Sequence, residues 1–189
     1  PGEPPFHPKG NTPRVHGFTW NLLNRNPNKV QPFRLGPDNV VECSQTHVYK
    51  LEQQAADNGA MDKFVEFNGA TNNQGIPTDE QNPNCDPNMV MGYFDGNTVT
   101  ALWNYAQNFA MSDNSYNTTF GPSSPGAINL ISGQTAGVSA TLNGTGATTD
   151  DGNGGLTMIG DPDPIGDICS SPTASQVTMG GRNIGDLLN

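Results

Sequence analysis

An α/β fold is the class this 189-residue sequence predicts, and three features point to it. An amphipathic helix pattern follows Asn97, with Val99, Leu102, Trp103, Ala106, Phe109 and Ala110 marking one face. Residues 111–120 then read as an extended, weakly alternating segment that ends in Phe120-Gly121-Pro122. A second apolar run, Ile128, Leu130 and Ile131, is closed by Gly133. Helix, extended segment, glycine turn and helix is the alternation of an α/β chain.

Taken in order, residues 1–40 hold eight prolines, and no helical period survives among them. They read as a Pro-rich extended arm, with residues 41–189 as a portion of an α/β domain. Phe6, Phe18, Trp20 and Phe33 give the arm aromatic area to bury, which argues against full disorder. Ser44 then caps a predicted helix in which Val48, Leu51 and Ala55 share a face, and Asn58-Gly59 ends it. A short apolar stretch, Met61, Phe64, Val65 and Phe67, stops at Asn68-Gly69, and 70–88 is a polar loop. Asn97 is the expected cap of the strong helix. Ser123 or Ser124 is the expected cap of the next one, with Pro125 at or near its first position. Residues 141–155 read as a loop or hairpin tip, 156–160 as a short buried strand, and Ile184–Leu188 as the start of a further helix.

Gly, Pro and Asn together make up about a third of the chain, hydrophobic residues 33%, and mean hydropathy is -0.56. The chain is thus a loop-rich globular protein, a disordered one, or a piece of something larger. A charged fraction of 14% is low for a solvated disordered tail. No run approaches the roughly 18 apolar residues of a membrane span. The net charge of -10 leaves no basic patch to neutralise a phosphodiester backbone, so nucleic acid is excluded as a partner. An acidic, Asn- and Thr-rich, Lys-poor surface suits a secreted protein, periplasmic or extracellular. Cys43, Cys85 and Cys169 form no C-x-x-C pair, which excludes a zinc ribbon or thioredoxin-type site; they allow at most one internal disulfide. Asn117-Thr118-Thr119 and Asn143-Gly144-Thr145 are glycosylation sequons.

The turn Gly121-Pro122-Ser123-Ser124-Pro125 is where chemistry is expected. A serine at a helix N-terminus meets unpaired backbone N–H groups and the positive end of the helix dipole. That field lowers the cost of an alkoxide and favours a phosphate dianion. On local sequence alone, simple helix capping is the default reading of Ser123 and Ser124. His47 would fall at the third position of the first helix, where a surface role is the default. Asp150-Asp151 lies in a Gly-rich loop and reads as a turn. Asp161, Asp163 and Asp167 with Gly166 faintly echo a calcium loop, but two prolines and the lack of Glu at position 12 favour Asp-Pro turns.

The stretch from Met91 to Gly133, MGYFDGNTVTALWNYAQNFAMSDNSYNTTFGPSSPGAINLISG, resembles the bacterial phosphoesterase family. That family includes phospholipases C and related acid phosphatases and belongs to the alkaline phosphatase superfamily. CSQTHVYKLEQQAADNGAMDKF, GDPDP at 160–164 and the final GGRNIGDLLN extend the resemblance, in order, over nearly the whole chain. It implies a three-layer α/β/α sandwich of alkaline-phosphatase type, of which this chain is a part. It implies metal-dependent hydrolysis of phosphate esters through a phosphoserine, with a divalent metal ion as cofactor. The Ser of the G-P-[ST] turn matches Ser123, as nucleophile and metal ligand, with Ser124 as the alternative register. His47 matches a histidine near the substrate phosphate.

The Glu-Asn metal pair of the family has no counterpart here, and its Asp-rich site and histidines lie further downstream. The chain is therefore expected to be an interior segment of a longer protein, inactive alone, completed by other parts of the same polypeptide or by other subunits. A non-catalytic processed fragment or an extracellular assembly subunit is the alternative.

Overall fold

The computed structural model describes residues 7–12, 17–39, 44–69, 86–144 and 146–188. Helices and strands are mixed along them, as an α/β chain requires. They form two compact units. One takes Pro1–Thr46 and Gln54–Tyr116, the other His47–Gln53 and Asn117–Asn189.

In the first unit, helix α1 (Trp20–Asn24) interrupts the segment predicted to be extended. Thr19 makes this possible: its side chain accepts the Leu22 N–H at 3.3 Å, satisfying one orphan donor of the first turn. Strand β1 (Phe33–Arg34) pairs in parallel with β2 (Gly92–Tyr93). Leu35, 2% exposed, continues that pairing by donating its N–H to the Tyr93 carbonyl at 2.8 Å. Beside it, Arg34 Nε lies 2.6 Å from Asp95 Oδ2, and Nη2 donates to Oδ1 at 3.2 Å.

Two buried asparagines tie this unit together. Asn28 donates to the Met61 carbonyl at 2.7 Å and accepts the Phe64 N–H at 2.8 Å. That second bond caps the start of the short helix Phe64–Phe67. Asn68 donates to the Thr46 carbonyl at 2.9 Å. Part of the asparagine excess thus supplies hydrogen-bonded cross-links between segments distant in sequence.

Helix α2 (Tyr49–Ala56) starts later than Ser44 predicts. The Thr46 carbonyl is engaged by Asn68, and Ser44 Oγ donates to the Gln45 carbonyl instead of capping. His47 consequently precedes the helix rather than occupying its third position. The predicted stop is observed: residues Asp57–Gly59 form a tight turn with Asn58 at φ 55°. Helix α3 is Phe64–Phe67, with Val65 buried.

Helix α4 (Thr100–Asn108) forms where the periodicity predicts it, but Asn97 is not its cap. Asp95 organises the entry: its carboxylate accepts the Asn97 N–H at 2.9 Å, and its carbonyl accepts from Thr98 and Val99. The predicted apolar face is not a buried one. Leu102 is 68% and Phe109 75% exposed, while Trp103 and Ala106 are half-buried. Periodicity specifies a face and says nothing about what covers it. Residues 111–120 are irregular rather than strand.

In the second unit, helix α5 (Ser123–Ser132) ends at Gly133, whose φ of 70° is the left-handed cap the sequence predicts. Strands β3 (Val138–Leu142), β6 (Asp163–Pro164) and β7 (Gln176–Met179) form one sheet in the order β3-β7-β6. β7 runs antiparallel to β3 and parallel to β6. Strands β4 (Thr148–Asp150) and β5 (Leu156–Met158) form an antiparallel hairpin: β5 lies in the strand expected over 156–160, β4 lies inside the stretch expected to be a loop or hairpin tip over 141–155, and Met158 is 3% exposed. Helix α6 (Ile184–Leu187) is set by a capping box between Asn183 and Asp186. Among the described residues no helix is long and apolar enough to cross a membrane.

Candidate functional site

The G-P-S turn lies in the second unit, together with His47 and the first turn of α2. Gly121 sits at φ 102°, a conformation that favours glycine, and an added Cβ would stand 3.1 Å from the Ile159 carbonyl oxygen. Pro122 follows at the N-cap with φ -72°, within its ring-imposed range. Ser123 is then the first residue of α5 and is exposed. Neither serine caps the helix, because the N-cap position belongs to Pro122, which has no side-chain acceptor. This corrects the capping expectation for Ser123 and Ser124, and it moves Pro125 to the third helical position, where it is fully buried.

Capping comes from elsewhere. Asp161, in the loop after β5, accepts the Ser124 N–H at 2.8 Å. Its negative charge also complements the positive end of the helix dipole. Glu52, on α2, accepts the Gly121 N–H at 2.6 Å. The Tyr49 ring meets the Phe120 ring edge-on, with centroids 6.4 Å apart. Pro122 and Pro125 bring no N–H to the turn, so the amide of Ser123 itself is the one donor there with no acceptor among the described residues. Backbone N–H and side-chain hydroxyl therefore belong to the same exposed residue.

His47 is exposed, two residues before Tyr49, and no hydrogen bond joins it to Ser123. Glu52 and Asp161 are the residues that sequence reasoning missed. GDPDP carried part of the resemblance, but nothing in the local pattern assigns its first Asp to a helix end distant in sequence.

The other acidic motifs behave as turns. Asp150 accepts the Gly152 N–H at 2.6 Å. Asp151 accepts the N–H groups of Asn153 at 2.8 Å and Gly155 at 2.9 Å. Those donors stabilise the carboxylate and hold the Asp151 pKa below its ordinary value. In DPDPIGD the three aspartates diverge: Asp161 goes to Ser124, Asp163 accepts from Ser171 and Asp167 from Cys169. Among the described residues, no group of three or more His, Cys, Asp or Glu side chains is placed to hold a metal ion. Cys169 is a free, exposed thiol, while Cys43 and Cys85 lie outside the described residues.

No curated protein matches the chain. The Phosphoesterase family does match it, over residues 3–184, a span that includes the Ser123 turn, Glu52, His47 and Asp161. On that match the chain belongs to the Phosphoesterase family, named for the hydrolysis of phosphate esters.

Proposed function

We propose that this chain carries the nucleophile of a secreted phosphoesterase of phospholipase C or acid phosphatase type, built on a three-layer α/β/α sandwich. The observation that supports it is the exposed Ser123 at the first position of α5, with its own N–H as the turn's one donor lacking an acceptor among the described residues. In this reading the Ser123 Oγ attacks phosphorus, an Oγ–P bond forms, the ester P–O bond breaks, and the alcohol leaves with a proton. Water then attacks the phosphoserine and releases phosphate. The Ser123 N–H and the dipole of α5 favour the anionic phosphoryl oxygens. His47 is proposed to face the substrate phosphate.

The divalent ion that the resemblance implies does not find a ligand set among the described residues. Beyond Ser123 Oγ its donors would have to come from outside them. Two carboxylates bonded to the turn, Glu52 and Asp161, add negative charge near a dianionic substrate, a cost that a cation would offset.

The test is Ser123→Ala in the purified protein that contains this chain. Turnover of an aryl phosphate ester should fall by about a thousandfold or more with the fold intact. Turnover at the parent rate would remove Ser123 from the chemistry. A second reading, a non-catalytic assembly subunit, is favoured by the exposed Leu102 and Phe109 on α4. It predicts no phosphatase activity in the parent protein and a stable complex in its native mass.

A further inference from the structure

The first turn of α2 holds the residues leading into Ser123 with two side chains spaced three apart. Residues at i and i+3 share a helix face. Tyr49 and Glu52 are such a pair, and both act on the same short segment. Tyr49 meets the Phe120 ring, and Glu52 takes the Gly121 amide. The Glu52 bond, at 2.6 Å, is a charge-assisted one, roughly twice as strong as a neutral pair.

From Gly121 the chain has little freedom before it reaches Ser123. Gly121 is seated against the Tyr49 side chain, whose Cβ lies 3.5 Å from where a Cβ on Gly121 would stand. Pro122 has its φ locked by its ring. On the far side, Asp161 holds the Ser124 N–H and Pro125 is buried. The backbone around Ser123 is thus fixed two residues before it and one residue after it. The torsion left to the nucleophile is its own χ1.

We propose that Glu52 is a positioning residue for Ser123: its carboxylate holds Gly121 so that the serine enters α5 in one orientation. The proposal rests on Ser123 being the nucleophile. Glu52 acts through the backbone and touches no reacting atom. A residue of this kind affects the orientation of attack more than ground-state binding, and a misplacement of about 1 Å can cost a hundredfold in rate.

The experiment compares Glu52→Ala, Glu52→Gln and Ser123→Ala in the purified protein, with an aryl phosphate ester as substrate. Glu52→Ala should lower kcat by about ten- to a hundredfold with KM changed by less than about twofold. Glu52→Gln keeps an oxygen acceptor and should recover most of kcat. The Gly121 amide proton resonance should move upfield in Glu52→Ala and stay near its parent position in Glu52→Gln. An unmoved Gly121 resonance in Glu52→Ala overturns the clamp whatever the activity. A loss of kcat that only tracks the folded fraction, or no rescue by glutamine, overturns the positioning role. If Ser123→Ala stays active, the nucleophile reading fails and this role falls with it. If Ser123→Ala is inactive and Glu52→Ala turns over like the parent, only the positioning role fails.

Discussion

Gly121→Ala is the sharpest probe of the turn. Two terms add. The residue sits at φ 102°, and a side chain in left-handed backbone costs about 1–2 kcal/mol. The new Cβ would also meet the Ile159 carbonyl oxygen at 3.1 Å and the Tyr49 Cβ at 3.5 Å. The first neighbour is backbone and yields little, so overpacking adds about 1–3 kcal/mol. The sum is on the order of 3 kcal/mol. For a chain of this size each kcal/mol moves the melting temperature by about 2–4 °C, so Tm should fall by roughly 6–12 °C. Gly126→Ala is the internal control. Gly126 lies inside α5, the helix that follows the turn, with nothing within 4 Å of an added Cβ, and its φ is not positive. Alanine there should stabilise by about 0.5–1 kcal/mol, because glycine is the poorer helix former. Thermal unfolding followed by far-UV circular dichroism reads both. A Gly121→Ala protein melting within about 1 °C of the parent would refute the positive-φ turn. Equal losses at both positions would show that the helix, not the turn, is what responds.

Two further outcomes follow from the carboxylates. Asp161→Ala removes the acceptor of the Ser124 N–H and should cost about 0.5–2 kcal/mol in urea unfolding, whereas Asp161→Asn keeps an oxygen there and should recover most of it; equal costs would show that charge, not the bond, is what matters. Asp151 has a folded pKa held below the usual 3.8 by the amides of Asn153 and Gly155. Its contribution is therefore present above that ordinary value and is lost as pH falls through the lower folded one. Amide exchange at Gly155 should accelerate in that acid range in the parent, and Asp151→Asn should flatten the response; identical acid profiles would exclude the carboxylate as the cause.

Much of the fold was legible wherever a local rule decides the outcome. Gly133 ends α5 because a left-handed residue closes that helix, and β5 lies within the short apolar run expected to be a strand over 156–160. Helix periods placed the body of α4, and the bulk of α2 and α5, from sequence. Apart from β5, strands of two to five residues, such as β1, β2, β6 and β7, were not legible, because such lengths carry too few alternations to register. Helix starts were misplaced for one recurrent reason. The donors of a first turn can be satisfied by a distant residue, so the nearest Ser or Asn need not be the cap. Asp95 replaced Asn97, and Asp161 replaced Ser123 and Ser124.

The sequence by itself determined the family, the Gly-Pro-Ser turn and the placing of a serine at a helix start. These rest on residue types whose backbone constraints are local: glycine for positive φ, proline for a fixed φ and a missing donor. The tertiary structure alone decided which side chains hold that turn. Glu52 lies 69 residues before Gly121 and Asp161 lies 37 residues after Ser124. Hydrogen bonds across such separations depend on how the chain folds back, and no local pattern encodes them.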